Sequence, residues 1–126
     1  MRTLRWILTV PAGMVGWYAG VIVALMVHSL VDRLCPQEHV VSGACFAPWS
    51  SFANEACLAL GAVICGALVV ALPAWVAPAH RFQVAATAYG LGLLSSLVWV
   101  WHGFWGPPAW AALGGAVALG LHWKKK

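Results

Sequence analysis

The feature that most constrains this chain is a set of four long apolar runs, at residues 6–31, 52–76, 82–105 and 107–123. The first, third and fourth contain no Asp, Glu, Lys or Arg, and the second contains only Glu55. Each run has the length of a helix that crosses a hydrocarbon core about 30 Å thick, the last at the short end. Only helices and closed barrels satisfy every backbone group in lipid. A barrel strand needs period-two alternation, and Val-Ile-Cys-Gly-Ala-Leu-Val-Val-Ala-Leu at 63–72 shows none. The expected fold is therefore all-α: a polytopic membrane protein, one domain, folded as an antiparallel bundle of four transmembrane helices. Composition excludes a water-borne globule. Only 8% of residues are charged and 63% are hydrophobic, against about 25% charged in an ordinary soluble domain.

The net charge of +4 does not point to nucleic acid. Arg2, Arg5, Arg33, Arg81, Lys124, Lys125 and Lys126 flank apolar runs and form no basic stripe. Arg2 and Arg5 ahead of an apolar segment open like a secretory signal. However, the run continues to Val31, well past a signal core of about 7–15 residues, so a retained first span is expected. An even number of spans places both termini and the 77–81 turn on one side. Six basic residues fall there and only Arg33 falls opposite. The positive-inside rule then predicts cytoplasmic termini, as in a bacterial inner membrane, with the 32–51 loop outside. Asp32, Glu38 and Glu55 all lie at the outer end. The connections at 77–81 and 106–108 are short, which makes neighbouring helices antiparallel.

Cys35 and Cys45 share the outer loop, where an oxidising compartment favours a disulfide. Cys57 and Cys65 fall in the second run and read as small apolar fillers. Gly16 and Gly20 form a Gly-x-x-x-Gly pair in the first run, a spacing that lets helix backbones approach closely in lipid. Pro11 and Pro73 are candidate bends.

Chemistry has one candidate location. His28 and His102 lie ~30 Å from the cytoplasmic side at 1.5 Å per residue, and Glu55 enters the second helix at that level. Asn54, Asp32 and His39 adjoin them in sequence. Imidazole and carboxylate together suit a divalent metal such as Zn²⁺ or Cu²⁺, and two facing histidines suit haem. Ionisable groups inside spans are functional hypotheses by default. A second pair, His80 and His122, falls at the inner face. There is no Cys-x-x-Cys, Gly-x-Ser-x-Gly or His-Glu-x-x-His, so the usual thiol-exchange and hydrolase sites have no foothold. In size and span count the chain resembles small multidrug transporters, yet residues 6–31 lack the buried glutamate that family uses. To four-helix quinone-linked thiol oxidoreductases it is similar only in helix count.

The sequence thus favours a small, non-enzymatic accessory or scaffold subunit in the lipid bilayer, packing as a homo-oligomer or against a larger membrane complex. The alternatives are a small oligomeric transporter or channel, and a metal- or haem-binding redox protein using His28 and His102.

Overall fold

The computed structural model of the protein describes residues 2–123; the expectation placed on Lys124, Lys125 and Lys126 lies outside the described residues. The chain is mostly helical. A short α1 (Arg2–Ile7) leads into α2 (Thr9–Arg33), followed by α3 (Ser50–Val76), α4 (Arg81–Trp101) and α5 (Gly106–Trp123). Taken as one span, Thr3–Arg33 is long and apolar enough to cross a membrane, as are α3 and α4. The fourth helix falls short of that standard. It covers the expected 107–123 and adds Gly106, but the glycine and prolines at its start and His122-Trp123 at its end lower its mean hydropathy.

Proline, glycine and the loop chemistry set the boundaries. Pro11 has no N–H for the carbonyl of Ile7, so the first helix is interrupted at Leu8 and resumes at once, with Ala12 N–H donating to Leu8 O at 3.1 Å. The α4 helix was expected to reach 105 and instead stops at Trp101. Gly103 takes φ +86°, its N–H donates to Val100 O at 2.9 Å, and Phe104 N–H donates to Trp99 O at 3.0 Å. Those two bonds are the Schellman arrangement, completed by edge-to-face contact of the Trp99 and Phe104 rings at 6.2 Å. The proline pair then starts α5 where missing N–H groups cost least.

The outer loop is shorter than the expected 32–51 and carries structure of its own. A 3₁₀ turn (Gln37–His39) precedes a hairpin of β1 (Val40–Val41) and β2 (Ala44–Cys45). Ser42 at φ 52° and Gly43 at φ 83° supply its two-residue turn, the left-handed pair that a tight hairpin requires.

Packing centres on α3, which lies against α2, α4 and α5, while α4 also meets α5. Glycine makes this possible. A Cβ at Gly16 would sit 2.8 Å from the Leu68 carbonyl, and one at Gly20 would sit 2.6 Å from Cys65 Cα. One turn on, Gly61 faces Ala24. The α2–α3 seam thus pairs small residues on both helices. On its other side, Gly66 abuts the Ala111 carbonyl and Gly114 abuts the Val63 carbonyl. Val70, Ala74, Ala85 and Ala118 form the buried core where α3, α4 and α5 converge, with Tyr89 packed over it.

These contacts separate structural glycines from incidental ones. Gly90 and Gly120 have nothing within 4 Å of an added Cβ. Gly66→Ala and Gly114→Ala should each lower stability by about 1–3 kcal/mol through overpacking. Gly90→Ala and Gly120→Ala should be neutral or gain up to about 1 kcal/mol in helix propensity. Thermal melting of the four variants in detergent checks the contrast.

Candidate functional site

The start of α1, the end of α5 and the 77–80 turn lie at one end of the bundle, the terminal end; the hairpin and the α4–α5 turn lie at the other, the loop end. At the loop end, α2 ends at Arg33 and the chain turns back through Cys35. Cys35 is bonded to Cys45 of β2, with Cα atoms 5.9 Å apart. Phe46 N–H donates to His39 O at 2.9 Å and Ser50 N–H to Ala47 O at 2.9 Å. The bridge and these bonds hold the loop across the start of α3, where Ala47 and Ser50 are buried.

His28, His102 and Glu55 do not form part of a three-ligand metal cluster among the described residues. Among the described residues no three of histidine, cysteine, aspartate and glutamate come together. All three side chains are exposed. His28 turns to Asp32 on its own helix, Nδ1 to Oδ2 3.8 Å, with both about half exposed. His102 lies beyond the last turn of α4, at the residue that caps it. Equal depth along separate helices therefore does not bring three ligands to one point among the described residues. The His39 ring lies 3.9 Å from its neighbour Glu38. Exposed pairs of this kind contribute little. Asn54 is the exception at this end: its Oδ1 is buried without a hydrogen-bond partner among the described residues.

At the terminal end, His122 is part-buried and its Nδ1 lies 2.9 Å from Ala118 O. His80 is exposed, in the left-handed conformation at φ 53°, just ahead of α4. These two histidines occupy separate elements with separate surroundings.

The principal concavities lie between helices, away from the histidine cluster the sequence suggested. Because α2 packs on α3 and only marginally on α4, a groove of about 710 Å³ runs between α2 and α4 over a floor of Val69 and Pro73. A second cavity of about 330 Å³ lies among α3, α4 and α5 and reaches Trp99, Phe104 and Pro107 near the loop end. Trp17, Val69, Ala88, Gly92 and Ser95 line both. Both volumes fall within or near the range of ligand-sized clefts, about 300–1,000 Å³.

The linings are mainly apolar, and their threonine and serine hydroxyls are already occupied. Thr9 donates to Trp6 O at 2.7 Å, Thr87 to Gln83 O at 2.8 Å, Ser95 to Gly92 O at 2.8 Å and Ser96 to Leu93 O at 2.7 Å. Back-bonding to the preceding turn lets a hydroxyl sit in an apolar setting. The Cys65 thiol reaches across from α3 toward Trp17 O at 3.9 Å. This chemistry suits a hydrocarbon surface and offers no nucleophile–base pair. The signal for the groove was present in the sequence: Gln83, Thr87 and Ser95 recur on one face of α4 at multiples of four residues, where a wholly lipid-facing helix would carry none.

Comparison with known protein families, with curated proteins and with solved structures finds no match.

Removal of the bridge should matter more than removal of either outer histidine. Cys35→Ser should cost roughly 3 kcal/mol in the chain-entropy description of a short closed loop. His28→Ala and His102→Ala should each change stability by less than about 0.5 kcal/mol. Melting of the oxidised protein and the three variants measures both.

Proposed function

We propose that the chain is a non-enzymatic integral membrane protein, an accessory or scaffold subunit that packs laterally against itself or against a larger membrane complex. The observation that carries this reading is the open side of the bundle. One helix, α3, is packed by α2, α4 and α5, whereas α2 and α4 leave a groove between them. A bundle open along one side is completed from outside it. Helix association in lipid depends on close backbone approach and van der Waals packing, and these are the contacts the α3 seams already use.

We also propose that all four helices span the membrane, with α5 sheltered by α3 and α4, and that the termini are cytoplasmic. The charge asymmetry supports that orientation. The tryptophans are compatible with it: Trp6, Trp75 and Trp123 lie toward the terminal end, and Trp49, Trp101, Trp105 and Trp110 toward the loop end. Indole rings favour membrane interfaces.

A second reading, a small oligomeric transporter or channel, draws on one observation. The two cavities share a boundary and together extend from Trp6 and His80 to Phe104 and Pro107. Their hydroxyl-dotted but largely apolar lining suits an amphiphile better than an ion.

A photoreactive residue at Met14 or Leu91, which flank the groove, tests the first reading against one at Val117 on the exposed surface of α5. In native membranes the two flanking positions should give a discrete adduct of defined larger mass, at least several-fold more than position 117. A chain that remains single from every position contradicts the subunit reading.

A further inference from the structure

The α2–α4 groove has a length and a lining that narrow what fills it, and two arginines adjoin its mouth residues in sequence. Its terminal-end mouth is formed by Trp6, Thr9, His80 and Gln83, and it extends to Trp17 and Ser95. From Gln83 to Ser95 along α4 the rise is ~18 Å at 1.5 Å per residue. Half of a hydrocarbon core about 30 Å thick is ~15 Å. The groove is thus about one leaflet deep. A transmembrane helix would seat along the whole of α2 and α4, whereas the groove is lined only from Thr9 to Trp17 on α2 and from Gln83 to Ser95 on α4.

The lining points the same way. Its Thr and Ser hydroxyls already donate to carbonyls of their own helices. A polar occupant would find little along the length to replace its water, and a hydrocarbon chain gives up no hydrogen bond on entering.

Charge changes at the mouth. Arg5 adjoins Trp6 and Arg81 adjoins His80 in sequence, and both arginines are exposed. Neither is in an ion pair among the described residues, where the two such contacts are His28 with Asp32 and His39 with Glu38. The three acids, Asp32, Glu38 and Glu55, all lie at the loop end. Nothing acidic in the described protein neutralises this end, and the Gln83 amide adds N–H groups able to meet an anionic oxygen. Basic pockets between helices at a membrane surface recognise anionic lipid headgroups.

We propose that the groove binds one anionic phospholipid from the leaflet at the terminal end, with its phosphate at the mouth beside Arg5 and Arg81 and one acyl chain laid along Val69 and Pro73 toward Trp17. The proposal rests on the reading of the α2–α4 side as the face engaged in the membrane. It makes the lipid a filler of that face, over which a protein neighbour closes.

The test uses the full chain in vesicles of phosphatidylcholine and phosphatidylglycerol in equal parts, extracted in mild detergent and weighed intact by native mass spectrometry. The wild type should retain one phosphatidylglycerol per chain, preferred over phosphatidylcholine by roughly tenfold or more, since each basic side chain near an anionic surface multiplies affinity about fivefold. Arg5→Gln with Arg81→Gln should remove most of that preference. Thr87→Trp, which fills the groove, should abolish retention, while Leu94→Trp, which lines neither cavity, should not. Inorganic phosphate should not displace the lipid. Equal retention of the two lipids by the wild type, equal loss in Thr87→Trp and Leu94→Trp, displacement by phosphate, or a two-chain species that lacks lipid would each overturn the proposal. Lipid retained without any cross-linked adduct refutes the subunit reading alone. An adduct formed without retained lipid refutes the lipid alone.

Discussion

The structure depends on how closely α3 can be approached from two sides. At Gly16, Gly20 and Gly61 on one side, and at Gly66 and Gly114 on the other, no room remains for a Cβ. In the proposed membrane setting, lipid provides little hydrophobic force between helices that are apolar all round, and their association comes from dispersion across short distances. Close approach maximises the number of such atom pairs. It also explains why the buried core is built of Val70, Ala74, Ala85 and Ala118 instead of large side chains. Leucine, tryptophan and methionine are left on the outside, where Leu25, Met26, Leu94 and Trp101 are exposed.

The helices were legible in the sequence because length and apolarity are local properties. So was the loop disulfide, since Cys35 and Cys45 are the two cysteines outside the runs. The end of α4 was missed because Trp101, Trp105 and Phe104 prolong the apolar run past Gly103, whose left-handed conformation stops the helix. For His28, His102 and Glu55 the sequence specifies depth alone. Depth fixes one coordinate, and rotation about each helix fixes another. For His28 the decisive contact is Asp32, four residues on along the same helix, and for His102 it is the end of α4. The Gly16 and Gly20 spacing named two packing residues, but their partners Leu68 and Cys65 follow from helix pairing, which one sequence does not specify.

The same close packing produces the open side. Glycines at 16 and 20 draw α2 down onto α3, and Gly66, Gly114 and Gly115 draw α5 onto α3 and the Tyr89 ring. The α4 helix packs with α3 and α5, which leaves its Gln83, Thr87 and Ser95 face turned to the groove. A concavity of this kind in a membrane is filled by whatever matches its walls. Apolar walls, occupied hydroxyls and the arginines that adjoin the mouth residues in sequence are what the proposed anionic amphiphile would meet. In this reading the protein presents to its surroundings a lateral face of mixed protein and lipid, and the oxidised loop holds the opposite end of the bundle fixed.

The arrangement of α2 is the central claim, and paired-cysteine cross-linking in membranes tests it most directly. On a background with Cys57 and Cys65 replaced, single cysteines along residues 12–24 of α2 would be combined with cysteines on α3 and, separately, on α4. The predicted result is strong cross-linking to α3 that recurs every three to four residues and tracks from Leu68 toward Gly61 as the α2 position advances, with weak cross-linking to α4 at any register. Efficient cross-linking of α2 to α4 with none to α3 would close the groove and contradict the central position of α3.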